Sequence, residues 1–259
     1  MYGAKKKLRC ALYIIAFHSV LMVVCALEFI FQNLFPSLRF WLGLTRLTPW
    51  GVLTSIFVHG SIDHLTANAL FLTLSALYLG LLSIINGYSD RGKAASLFCF
   101  GPLVASVIAN LVELLFTVTT SPRILSYGSS GLLYATIGTI LATSSYNIMS
   151  RIRSSGFKAY LFDRKLRRSN FIPNLFILLA FLYLILSSSL FQESAGSETD
   201  VLGHRLGLLC GIAVTCLNLS RFAEKMLPMV ASFANPTNLK MKILAFGYAL
   251  TRFKKHRFG

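Results

Sequence analysis

"GSSGLLYATIGTILATSSYNIM", residues 128–149, is long enough to cross a membrane as a helix, yet it opens on two glycines that bracket two serines. A hydroxyl at the mouth of such a run is a packing group or a nucleophile. The residues that reach the same level from elsewhere decide which. Gly131, Ala135, Gly138 and Ala142 recur at i, i+4, i+7 and i+11, so they form one stripe of a helix. Small residues let membrane helices approach closely, and the stretch therefore asks for a partner helix along that stripe.

Five further apolar stretches surround it, at about 10–34, 65–85, 94–118, 171–191 and 202–219. A bilayer core about 30 Å thick needs roughly 20 apolar residues per helix. The chain is 55% apolar and 13% charged, a balance unlike that of a soluble domain. The expectation is an all-α, polytopic membrane protein with six transmembrane helices. The first stretch follows Lys5, Lys6, Lys7 and Arg9 but is too long for a signal-peptide core and lacks a clear small-x-small cleavage site, so it reads as an uncleaved first span.

With the N-terminus cytoplasmic, twenty-one basic residues fall inside and only Arg39, Arg46, Arg123 and Arg205 outside. That split follows the positive-inside rule and puts both termini in the cytoplasm. The organisation expected is a basic N-terminus at 1–9, a six-span domain at 10–220 and a basic tail at 221–259 that lies along the inner surface as an amphipathic helix. The net charge of +16 is then explained by topology and by attraction to anionic lipid of the bilayer, with no nucleic acid as partner. Cys10, Cys25, Cys99, Cys210 and Cys216 form no CxxC pair, so neither a zinc site nor a disulfide framework is indicated. No cofactor and no metal is expected.

Polar residues within spans are costly and mark candidate sites. The second span starts outside and brings His59, His64 and Asn68. The fourth starts outside with Ser129 and Ser130, and the sixth with His204. Three helices thus carry His/Asn, Ser and His at one depth. His64 and Asn68 are four apart, as are Ser130 and Tyr134, and His204 shares a face with the GxxxG pair Gly207 and Gly211. If the fourth and sixth spans pack along their small-residue stripes, Ser130 and His204 meet. Ser129 turns about 100° away from Ser130 on a helix and reads as structural, and His59 as a residue orienting the first loop.

These residues carry a resemblance. His59-x4-His64-x3-Asn68, then Gly128-Ser129-Ser130-Gly131 with Tyr134, then His204-x2-Gly207-x3-Gly211 resemble, in order and on the corresponding spans, the rhomboid intramembrane serine proteases. The resemblance covers roughly residues 10–220 and implies a rhomboid-like bundle. It implies a serine endopeptidase with Ser130 as nucleophile and His204 as base in a dyad without an aspartate. It also implies His64 and Asn68 as oxyanion donors and Tyr134 stacking on the catalytic histidine. Substrates would be single-span or other membrane proteins, cut on the extracellular or luminal side, with the second and fifth spans and the acidic loop at 191–202 as gate and cap. Many members carry a Trp-Arg pair in the first loop, where this chain has Trp50-Gly51; Arg205 directly after His204 is a second departure.

The residue types agree with that chemistry. A serine hydroxyl needs a neighbouring imidazole to take its proton, and the oxyanion of acyl transfer needs donors in a low-dielectric site. Two other readings compete: a catalytically weak or inactive relative that binds and sorts membrane clients, and a transporter or channel. The second is opposed by the absence of an evident internal repeat and by the scarcity of acids within spans, Glu113 among them. HExxH is absent, and Asp63, Asp90, Asp163 and Asp200 fall in connections or at span ends, which excludes zinc and aspartyl intramembrane proteases.

Overall fold

Each of the six apolar stretches falls on helix over most of its described residues. The computed structural model describes residues 2–88, 90–120, 128–155, 171–187 and 201–234, and the chain divides into two units, Met1–Asn218 and Leu219–Gly259. The basic connection at 156–170, the acidic loop at 191–200 and the basic tail beyond 234 lie outside the described residues. The helices are α1 (Tyr2–Leu34), α2 (Ser37–Leu42), α3 (Gly51–Thr54), α4 (Ile62–Ile85), α5 (Arg91–Ala95), α6 (Gly101–Thr120), α7 (Ser130–Ser155), α8 (Ile172–Ser187) and α9 (Val201–Ala234). A 3-10 turn, Ser55–Phe57, follows α3, and a π turn, Ser96–Phe100, joins α5 to α6. Among the described residues the only bridge between extended segments is Thr45 with Thr48.

Local chemistry sets the starts of two helices. Ser61 caps α4, accepting from the His64 N–H at 3.1 Å, which fixes His64 in the first turn. Asp90 caps α5 by accepting from the N–H groups of Gly92 and Lys93 at 2.9 and 3.2 Å.

Four of these helices are long and apolar enough to cross a membrane: Gly3–Leu34, Ile62–Ile85, Arg91–Phe116 and Val201–Leu219. The protein is thus a helical membrane protein by length and composition. A shorter apolar helix is described at Ile172–Tyr183. α7 is long enough but too polar to count, and its position explains this. It packs against α4, α6 and α8, and its residues from Leu132 to Ile140 are buried all round. A helix shielded by protein needs no lipid-compatible surface. Two of its hydroxyls are satisfied within the helix: Thr136 Oγ1 donates to the Leu132 carbonyl at 2.8 Å and Thr139 Oγ1 to that of Ala135 at 3.0 Å, whereas those of Thr143 and Ser144 are buried without a partner among the described residues.

α1 packs mainly on α4. Where α4 ends, Asn86 and Asn174 of α8 exchange amide hydrogen bonds of 3.2 and 3.1 Å. Further along the same pair of helices, Tyr78 meets Phe181 edge to face at 4.9 Å. Asn86→Leu leaves the Asn174 amide short of a partner and is expected to lower stability by about 1–2 kcal/mol. Thermal unfolding in detergent checks this, with the Asn86→Leu/Asn174→Leu pair recovering part of the loss.

The loop after α1 is tightly built. Thr48 Oγ1 donates to the Gly43 carbonyl at 2.7 Å, Thr54 Oγ1 to that of Leu42 at 2.6 Å, and Trp50 Nε1 to that of Trp41 at 2.7 Å. The two indoles stack at 6.1 Å. Gly51 is required here: a Cβ would overlap the Gly43 carbonyl and stand 2.5 Å from Leu44 Cα. This chain's glycine after Trp50 therefore has a steric cause, since no side chain at 51 fits against the 43–44 backbone.

Candidate active site

The site grows from the turn that opens α7. Gly128 has φ +125°, a conformation that L side chains rarely adopt. A Cβ there would stand 2.7 Å from His64 Cε1 and 3.1 Å from its Nε2, with Ser130 Oγ at 3.5 Å. The His64 imidazole and the Ser130 hydroxyl thus flank the same point, and only glycine leaves it open. Gly128→Ala is expected to displace His64 and strain the turn, lowering turnover more than stability, as kcat and melting temperature measured together will report.

Ser129 is fully buried and its hydroxyl is engaged. His59 donates from Nδ1 to the Phe57 carbonyl at 3.0 Å, which leaves Nε2 as acceptor. Ser129 Oγ donates to that nitrogen at 3.0 Å, and the Ser129 N–H approaches it at 3.5 Å. The Gly128 N–H donates to the Ser55 carbonyl at 2.9 Å. Asn110 of α6 holds the same loop, donating to the Val52 carbonyl at 3.0 Å and to Ser55 Oγ at 3.2 Å. From α1, the Gln32 amide donates to the His59 carbonyl.

Burial pushes the His59 imidazole down from the usual 6.5 to about 4, with the Phe57 carbonyl opposing and the neighbouring His64 charge assisting. The unfolded chain therefore binds a proton at this residue that the folded chain refuses, and stability falls as pH drops. Wild-type melting temperature is expected to decline on acidification from about 6.5 towards 4. His59→Gln, which keeps an acceptor for Ser129 but cannot titrate, flattens that part of the curve.

α7 and α9 touch backbone to backbone. A Cβ on Gly207 would stand 2.6 Å from the Gly131 carbonyl, and one on Gly211 would overlap the Ala135 carbonyl. A Cβ on Gly138 would overlap the Leu208 carbonyl and stand 2.9 Å from the Ile212 nitrogen. One turn further on, Thr215 Oγ1 donates to Thr139 Oγ1 at 3.0 Å. The contacts advance four residues at a time on both helices, so the two run parallel in register. His204, three residues before Gly207, then stands level with the Gly128–Ser130 turn. Its ring lies 4.5 Å from that of Tyr134, tilted by 32°, and both are buried. The His59 and His64 rings meet edge to face at 5.5 Å.

Ser130 is 6% exposed and Asn68 5%. The Asn68 Nδ2 is buried without a hydrogen-bond partner, one turn along α4 from His64. The first N–H groups of α7 lack intrahelical acceptors, as at any helix start. Ser130 opens α7 and His204 stands level with it near the start of α9, but no hydrogen bond joins them among the described residues. Gly131 also lines α6, where a Cβ would stand 3.3 Å from Ser106 Oγ. Arg205 points outward. Among the described residues no cluster of His, Cys, Asp or Glu could hold a metal ion.

Every residue singled out from the sequence is therefore gathered here: Ser130, His204, Tyr134, His64, Asn68, His59, Gly128 and Gly131 at the site, with Gly207 and Gly211 in the seam beside it. Sequence reasoning missed Gln32, Ser55 and Asn110. A Gln and an Asn inside apolar helices are the signal that was available.

No curated protein and no solved structure matches this chain at a significant level. A family model, the rhomboid domain, matches residues 46–221, well over half of the chain and the whole span from His59 to Gly211. By that match, and with the residues of the motif gathered at one end of the bundle, the chain belongs to the rhomboid family.

Proposed function

We propose that this protein is an intramembrane serine endopeptidase that hydrolyses peptide bonds within or next to the transmembrane segments of membrane proteins. Ser130 attacks the scissile carbonyl while His204 takes its proton. The oxyanion receives hydrogen bonds from His64, Asn68 and the N–H groups at the start of α7, a term commonly worth about 10²–10³ in rate per donor. His204 returns the proton to the leaving amine, and water then cleaves the acyl-enzyme by the same route. Tyr134 holds the imidazole in plane where a triad uses a carboxylate.

The observation that carries this reading is the stacking of Tyr134 on His204 at 4.5 Å across the seam beside Ser130. Two supports join it. Ser129's hydroxyl is occupied by His59, which leaves Ser130 as the available alcohol, and Asn68 offers a buried donor without an acceptor. Catalytic hydrogen bonds often tighten only with substrate bound, and the Ser130–His204 bond forms in that complex.

Six crossings, cytoplasmic termini and an extracellular or luminal site belong to the same proposal. The charge asymmetry of the sequence supports them, as does the shielding that lets α7 be polar. A second reading, a client-binding relative without turnover, draws on the unformed Ser130–His204 bond. A serine-reactive fluorophosphonate separates the two. Wild type is labelled, and His204→Ala is labelled at least about 10²-fold more slowly. Equal labelling of both removes His204 as the base.

A further inference from the structure

The buried stripe of α1 carries two polar side chains, His18 near its middle and Gln32 at the end near the site. Ala11, Ile14, His18, Cys25 and Gln32 are buried at spacings of three, four and seven, the repeat of one helix face. That face lies on α4, and at its end it meets the segment between the 3-10 turn and α4. Cys25 Sγ is 4.0 Å from the Ile56 carbonyl, and the Gln32 amide donates to the carbonyl of His59.

Gln32 is 5% exposed, and its own Oε1 has no partner. A leucine would fill this place without the orphaned side-chain carbonyl that Gln32 carries, a penalty of about 1–3 kcal/mol. The amide is therefore explained by what it donates to. His59 belongs to no helix, and among the described residues no backbone N–H reaches its carbonyl. Its ring in turn holds both the hydroxyl and the N–H of Ser129, the residue next to Ser130.

We infer that Gln32 is a positioning residue: by pinning the His59 carbonyl it fixes the imidazole that holds Ser129, and so sets the turn that presents Ser130 and the first N–H groups of α7. The inference rests on the protease reading for its catalytic consequence. It makes α1, which lies outside the matched residues 46–221, part of the active-site support.

The test uses the full chain in detergent and in liposomes. Gln32→Leu keeps the volume and removes the donor. It is expected to lower kcat about 10- to 100-fold with KM changed less than about twofold, the split of an effect on reaction geometry. Hydrogen exchange by mass spectrometry should rise in peptides covering 56–60 and 128–131. Gln32→Glu donates only when its carboxyl is protonated, so its activity relative to wild type rises towards acid pH, which a packing role would not produce. Unchanged exchange in Gln32→Leu overturns the inference. So does changed exchange with wild-type kcat. A wild type that neither cleaves nor labels removes the protease reading instead, and the exchange measurement then still decides whether Gln32 holds His59.

Discussion

Ser130→Ala abolishes cleavage of a single-span reporter reconstituted with the protein in liposomes, a fall in turnover of at least about 10³-fold. The substitution removes one oxygen from a residue that is 6% exposed and whose hydroxyl makes no hydrogen bond among the described residues, so the fold loses little. Melting temperature should stay within about 2 °C. The neighbouring serine gives the contrast. Ser129→Ala strips the His59 ring of its hydroxyl partner, leaving a buried acceptor with only the weaker 3.5 Å approach of the Ser129 N–H. It should cost stability while retaining measurable cleavage. If Ser130→Ala cleaves at the wild-type rate, the nucleophile assignment fails. If Ser129→Ala is inactive while as stable as wild type, the division of labour between the two hydroxyls fails. A client-binding relative would keep its client after Ser130→Ala and show no cleavage before it.

Gly211→Leu is expected to destroy the site from seven residues beyond His204 in the chain by forcing two helices apart. Its first side-chain atom would overlap the Ala135 carbonyl and sit 2.8 Å from Ala135 Cα. Neither is a side chain that can rotate away. Overpacking of this kind costs about 1–3 kcal/mol or more, and a shift of α9 also carries His204 off Tyr134. Thermal unfolding in detergent should drop by several degrees, and fluorophosphonate labelling should fall by at least about 10²-fold. Gly211→Ala tests the same contact with a single methyl group and should fall between. Leu209→Ala is the control, because Leu209 is 62% exposed and turned away from the seam. A Gly211→Leu protein with normal stability and labelling would show that the seam does not hold the histidine.

The stripes at 131–142 and 204–211 were legible because helix periodicity is local: residues three and four apart share a face whatever the rest of the chain does. Their pairing was a reasonable expectation, since small residues in membrane helices exist chiefly to be approached. Hydropathy, by contrast, undervalued α7. It measures fitness for lipid, and a helix enclosed by α4, α6, α8 and α9 is not selected for that. The role of Gly51 was equally hidden. Nothing in its neighbours in sequence reveals that the backbone of residues 43–44 lies against it.

The sequence by itself determined that this is a helical membrane protein, where its polar residues sit along each apolar run, and which serine, histidines and asparagine form the motif of its family. Those properties follow from composition and from spacings of three to seven residues. Only the tertiary structure decided which of two adjacent hydroxyls is already engaged, that Asn110 and Gln32 reach the first loop from two other helices, and how closely Tyr134 packs on the His204 ring. These depend on contacts between residues 27, 58 and 70 positions apart. A hydrogen bond extends about 3 Å, so whether such a contact forms is fixed by how the helices pack and cannot be read from any one of them alone.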